Sequence, residues 1–181
     1  MSVLGSFLAT WSQARLTFGD GIPTPGTTFD NSPALQQLES GTRAAAPGST
    51  WTGGAADAYA VSNAHQARTL ARMAELDHCI GREIDHSAAV VTRGRQQLDA
   101  VRQWVVAAAG SVPDNAAGDQ MLVPIVWKGC SDIAEVITAS NGELATVAER
   151  VRALGTEYAA LGGDQKKPDG EATPLGWWTE G

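Results

Sequence analysis

Ala46-Pro47-Gly48-Ser49-Thr50-Trp51-Thr52-Gly53-Gly54 is the stretch that decides the fold. Pro47-Gly48 stops the helix before it, because proline lacks an N–H and glycine frees the backbone. After Gly54 the next proline is Pro113. A bulky aromatic two residues ahead of a glycine, between a helix stop and a helix start, suits a tight helix-turn-helix corner. Glycine supplies the permissive dihedrals, and tryptophan the apolar surface that pins the turn. W-x-G alone is a weak motif. Its place at the mouth of a long proline-free run gives it weight.

That run predicts a third helix from about Gly54 to Gly110. Its apolar residues repeat every seven: Leu70, Asp77, Ile84, Val91, Leu98 and Val105 at one position, and Met73, Ile80, Ser87, Gly94, Val101 and Ala108 at the other. Alternating steps of three and four place both series on one coiled-coil-like seam. At ~1.5 Å per residue the helix would be about 85 Å long, which implies a rod. Ser111-Val112-Pro113-Asp114-Asn115 breaks it. A fourth helix is expected from Gly118 or Asp119, with Pro124 in its opening turns. It carries the same repeat through Cys130, Ile137, Leu144, Val151 and Tyr158, and through Val126, Ile133, Ser140, Val147, Leu154 and Leu161. It should therefore fold back on the third. Gly94 and Ser140 would permit close approach or weaken the seam.

Upstream of the corner lie two short helices. Val3, Leu4, Phe7, Leu8, Trp11 and Phe18 form one helical stripe. A loop over 19–31 holds Gly19, Gly21, Pro23, Pro25 and Gly26. The second helix starts at Asn31 or Ser32 as N-cap, with Pro33 first inside, and runs to about Ala46. The fold class is thus all-α: an elongated antiparallel helical hairpin with two short N-terminal helices and a W-x-G corner. Residues 1–162 form the helical domain. Residues 163–181, which include Lys166-Lys167-Pro168-Asp169-Gly170 and Trp177-Trp178, read as a flexible tail.

Composition narrows the function. The chain has 181 residues, 43% hydrophobic and 18% charged, with net charge −7. The negative balance argues against nucleic acid or an anionic membrane as main partner. Arg68, Arg72, Arg82, Arg93, Arg95 and Arg102 alternate with carboxylates and read as a solvated helix face. No run approaches the ~20 apolar residues of a membrane span. The apolar N-terminus lacks a basic segment and a cleavage site, and reads as an amphipathic helix and not as a signal peptide.

Enzyme-like patterns do not hold up. Glu75-x-x-His78 and Glu83-x-x-His86 resemble half of a di-iron carboxylate centre, but both lie on one helix. Cys79, Glu83 and His86 share a face, yet give three zinc ligands without a fourth. No metal, cofactor or catalytic group is expected. Cys79 and Cys130 would lie ~30 Å apart along the hairpin, too far to pair. Cys130 sits at a seam position. Cys79 sits beside the seam and is the candidate for a disulfide between two chains. Asn63, Gln66 and Asp77 interrupt the apolar stripe, and buried polar groups need mates. That places a partner surface on the half of the rod nearest Trp51.

The corner carries a wider resemblance. Gly48 to Tyr59 resembles the Gly-rich W-x-G-x-A-A-D-x-Y signature of the EspA/EspE-type family of mycobacterial ESX (type VII) secretion-associated proteins. Trp51, Gly53, Ala55, Ala56, Asp57 and Tyr59 fill it in register. Gly21-Ile22-Pro23 is similar to that family's Gly-Ile-Pro loop, and Ala74-Glu75-Leu76-Asp77 continues the likeness. The resemblance covers roughly residues 15–105. It implies export by a type VII machine without a cleaved signal peptide, and a non-enzymatic role at the cell surface or host interface. The implied partners are a small co-secreted helical protein or dedicated chaperone, the secretion ATPase and, for self-association, a second copy. It also makes Trp51 and Gly53 the secretion motif. One departure stands out: the Y-x-x-x-D/E secretion signal is not intact, since Tyr59 is followed four residues on by Asn63, and Tyr158 by Gly162. The alternative is a targeting or scaffold domain of a larger secreted effector or toxin.

Overall fold

The computed structural model describes residues 2–113 and 115–163. The expected tail over 163–181 lies, apart from Gly163, outside the described residues. Four helices follow one another: α1 (Val3–Thr17), α2 (Ser32–Ala44), α3 (Gly54–Ala109) and α4 (Ala116–Gly163), with a single 3-10 turn at Gly26–Thr28 between α1 and α2. The described residues contain no strand. The chain is an all-α antiparallel hairpin of two long helices, with two shorter ones packed on it.

Local chemistry sets the ends. The Ser2 hydroxyl accepts from the Gly5 N–H at 3.1 Å and caps α1. Asn31 is the N-cap residue of α2, one of the two expected, but the capping hydrogen bond comes from its neighbour: the Asp30 carboxylate accepts from the Ser32 N–H at 2.9 Å. α2 stops at Ala44, two residues before the expected end, in a turn through Ala45 and Ala46. α4 begins at Ala116, earlier than Gly118. The reason is Asn115, whose side-chain oxygen accepts from the Gly118 N–H at 3.0 Å. Pro124 lies inside α4 on an exposed position.

α3 is 56 residues long, about 84 Å at ~1.5 Å per residue. Its pairing with α4 is fixed by contacts along the rod. The Tyr158 hydroxyl donates to the Met73 carbonyl at 3.1 Å, and Arg72 pairs with Glu157. Arg93 meets Glu143 at 2.6 Å, and Val105 lies against Gly129. The seam is half-buried over Leu70, Met73, Ile80 and Ile84, where α4 covers it from one side. It becomes fully buried at Leu98 and Val105, where α1 adds a third layer. Phe7, Ala14, Leu98, Val105 and Ile133 form the core there.

α3 buries a further stripe that the seam reading did not include. Ala67, Ala74 and Gly81 recur at sevens and are buried, and Ala60 and Ala88 extend the series half-buried. Against it lie α2 and the loop before it: Asn63 donates to the Thr42 carbonyl at 2.7 Å, and Gly26 touches the Gly81 backbone. α3 is therefore flanked by α4 on one side and by α2, the loop and α1 in succession on the other.

Gly94 does not serve approach of α4. It accommodates the Phe18 ring at the end of α1. Gly129 is the closer three-helix contact, since a Cβ there would lie 2.5 Å from Val105 Cγ2 and 2.8 Å from Phe7 Cε2. Gly142 faces open space in the same helix. Gly129→Val should destabilise the fold by about 1–3 kcal/mol through overpacking. Gly142→Ala should stabilise it by about 0.5–1 kcal/mol through helix propensity. Denaturant melts of the two variants check both signs.

Candidate functional site

The W-x-G corner follows from three residues. The Trp51 N–H donates to the Gly48 carbonyl at 3.2 Å and closes a turn. Gly53 then takes φ +103°, a conformation side chains rarely adopt, and α3 starts at Gly54. An added Cβ at Gly53 would meet nothing within 4 Å, so glycine is needed for its backbone and not for space. One turn into α3, Tyr59 comes under Trp51, with ring centroids 5.1 Å apart and planes tilted by 44°. Both rings stay exposed, at 46% and 41%. Ala56 is buried; Ala55 and Asp57 are exposed. Asp57 lies in the first turn of α3, where the helix dipole favours its charge.

This end of α3 is thinly covered. The α4 contacts reach Arg72 and Met73 through Glu157 and Tyr158. Gly163, five residues further on, ends the described part of α4 about 7 Å along the axis at ~1.5 Å per residue. Among the described residues, α3 from Gly54 to the high sixties has α2 alone beside it. Between them lies an open cleft of about 350 Å³, lined by Arg43, Ala46, Ala60, Asn63, Ala67 and Arg68 among others.

The loop after α1 is clasped to α3 by charged side chains. Arg95 donates to the Phe18 carbonyl at 2.7 and 3.2 Å, and also to the Gly21 carbonyl. The Asp85 carboxylate accepts from the Gly26 N–H at 2.6 Å. Asp77 accepts from the Asn31 N–H and, at 3.2 Å, from the Tyr158 hydroxyl. Asp30 contacts His78 Nδ1 at 3.0 Å. These partners lie 46 to 81 residues apart in sequence, so periodicity gave no signal for them. Half-buried Arg95 is a loop anchor and not a member of a solvated face, and exposed Asp85 holds the same loop.

Two expectations about polar stripe residues are corrected. Asn63 is buried with its amide paired to Thr42, and Asp77 is paired from two sides, so neither needs an outside mate. Gln66 is exposed. The E-x-x-H residues are also engaged separately. Glu75 pairs with Arg72, and His78 with Asp30. His86 lies 3.9 Å from both Glu83 and Glu143. One Glu83 oxygen is buried without a hydrogen bond, with Arg150 Nη1 at 3.6 Å. Among the described residues no three His, Cys, Asp or Glu side chains converge as metal ligands. Cys79 and Cys130 are both free and both half-buried, with Cys130 against the core, so their burial differs less than expected.

With this geometry in view, the comparisons with known proteins are direct. Residues 18–100 match the EspA/EspE family. This segment is similar to that family. The match starts at Phe18, whose carbonyl Arg95 holds, and takes in the clasped loop, α2, the corner and most of α3. It covers just under half of the chain. Two curated relatives are the "ESX-1 secretion-associated protein EspE" of Mycobacterium tuberculosis strains CDC 1551 / Oshkosh and ATCC 25618 / H37Rv. Each is 34% identical over 96 residues, which is 52% of this chain and 24% of the relative. The chain thus spans about a quarter of the length of the relatives it matches. No solved structure gives a significant match.

The clasp has a pH signature. Hydrogen bonds from Ser32 and then His78 hold the Asp30 carboxyl at about 2, below its ordinary 3.8. A depressed folded value stabilises the fold above the unfolded value, and that contribution fades as pH falls through the folded one. The stability difference between the wild type and Asp30→Ala should therefore be constant above about pH 5 and shrink between about pH 4 and 2. Urea melts across that range test it; a difference that grows on acidification would refute it.

Proposed function

We propose that the chain is an ESX-type secretion-associated protein acting through protein–protein contacts and not through catalysis, exported or held at the cell surface. The observation that carries this reading is the W-x-G corner inside the EspA/EspE-matched segment: Trp51 is presented on Tyr59, half-exposed, at the rod end that the described part of α4 does not reach. Trp51 and Gly53 form the feature a secretion ATPase or dedicated chaperone would read. Ala55, Ala56, Asp57 and Tyr59 shape it. The uncovered start of α3 is the seat for a small co-secreted helical partner, which would also supply the missing Y-x-x-x-D/E signal. No described helix is long and apolar enough to cross a membrane.

A second reading is favoured by length. The relatives are about four times as long as the matched part. The chain would then be a targeting or scaffold unit of a larger secreted protein, with the same corner in the same role.

Comparison of culture filtrate with cell lysate, with and without an active ESX system, is the test. The wild type should reach the filtrate only when the system is active. Trp51→Ala loses a half-exposed stacking contact worth about 0.5–1.5 kcal/mol, so helical content should stay nearly intact while export falls. Normal export of a folded Trp51→Ala protein would remove the proposed role of the corner. Cys79 is the proposed link between two chains. A non-reducing gel of exported protein should show a dimer that Cys79→Ser abolishes and Cys130→Ser leaves in place.

A further inference from the structure

Ile22 is 97% exposed, the highest value of any large apolar side chain among the described residues. It therefore packs on nothing in its own chain. Its backbone, by contrast, is held from both sides. Arg95 donates to the carbonyls of Phe18 and Gly21, and Arg15 to that of Gly19 at 3.0 Å. Gly21 takes φ +78°, a conformation that a side chain would resist. Pro23 follows, which fixes its own φ and biases Ile22 toward an extended backbone. Further on, the Asp85 carboxylate accepts from the Gly26 N–H at 2.6 Å. An apolar side chain displayed in water on a backbone so restrained has already lost much of the freedom that binding would otherwise cost.

A hole lies close to this knob. α1 ends at Thr17, and with it ends the third layer over the α3–α4 seam. Val91, Ile137 and Leu144 stay half-buried beyond that point. Together with Thr17, Phe18 and Asn141 they line a cavity of about 190 Å³. That is below the ~300 Å³ at which small-molecule sites begin, and most of its walls are hydrocarbon, so it suits a single apolar side chain. Phe18 lines the hole and Ile22 follows four residues later, so their Cα atoms lie within about 14 Å of each other. Ile22 nevertheless stays out of the hole of its own chain, as its exposure shows.

We infer that Ile22 of one copy enters this hole on a second copy, and the reverse, in a two-fold dimer. Two-fold association requires one patch to carry both the inserting group and its receptor. Knob and hole lie close together on this chain, and neither is used within it. A different protein seated on Ile22 would leave the hole without a reason, and one seated in the hole would leave the clasped Ile22 without one. The contact is small and belongs with the weak interfaces that bury less than ~1,200 Å². It is independent of the export reading and of the Cys79 link.

Sedimentation equilibrium of the purified full chain tests it, from micromolar to millimolar concentration, with reducing agent to exclude a Cys79 link. The wild type should show a reversible monomer–dimer equilibrium. Raised salt should preserve or strengthen it, since two copies of net charge −7 repel each other. Ile22→Ser should weaken dimerisation roughly tenfold or more, with circular dichroism unchanged at so exposed a position. Asn141→Arg places a charged chain at the mouth of the hole from an exposed position and should weaken it comparably. An equal mixture of the two variants should dimerise more than either alone, because the mixed pair retains one intact knob and one intact hole. A wild type that stays monomeric, a dimer that salt dissolves, or either variant dimerising like the wild type would each overturn the proposal. So would a mixture that associates no better than its separate components, which would assign Ile22 and the hole to different partners.

Discussion

A helix of 56 residues cannot bury its own surface, and everything else in this structure answers that constraint. α4 covers one flank along a heptad seam. The other flank is shared end to end by α2, the clasped loop and α1. Each can come close because α3 offers small residues there: Ala60, Ala67, Ala74 and Gly81, then Gly94 under the Phe18 ring. Burial follows the number of neighbours. With α4 and α2 the seam residues remain partly wet. With α4 and α1 together, Leu98 and Val105 lose all contact with water. Among the described residues the best-packed part of the rod is therefore the half furthest from Trp51, and the corner stands at the end with the least packing behind it.

The fold class was legible because its signals are local. Pro47-Gly48, Gly53 and Pro113 punctuate the chain, and the sevenfold apolar repeat needs no knowledge of distant residues. The corner could be read for the same reason: a positive-φ Gly53 and a tryptophan eight residues before Tyr59 are properties of nine consecutive residues. Boundaries moved by about two residues, as with Asn115 drawing the start of α4 back to Ala116 and a backbone turn ending α2 at Ala44.

What remained illegible depends on pairs far apart in sequence. Arg95 looks like any arginine on a charged helix until Phe18, 77 residues away, presents its carbonyl. A glycine inside a helix has two opposite meanings, weak propensity or close contact, and nothing in the sequence separates Gly129 from Gly142. The alanine stripe was hidden because alanine is also the commonest filler of exposed helix, so its period carries little contrast. Tryptophans gave a mixed signal too. Trp11 packs inward and donates to the Leu98 carbonyl at 2.9 Å, while Trp127 faces water.

The polar interruptions of the stripe have a use that needs no second protein. A heptad seam has many near-equivalent registers, since sliding α4 by seven residues again matches apolar rows. Asp77 breaks that degeneracy. In the observed register its carboxylate receives the Tyr158 hydroxyl from α4 and the Asn31 N–H from the start of α2, so one side chain ties three elements at one level. A slide of one heptad toward the turn-distal end would bring Val151 to that place, leaving Asp77 without its α4 donor. A half-buried carboxylate deprived of a partner costs more than an apolar mismatch. Asn63 does the same for α2, whose single amide contact to Thr42 would be lost on shifting. Apolar residues thus hold the helices together, while a few buried polar groups decide where along one another they stop. The level of the W-x-G corner relative to the described part of α4 is set by those few groups.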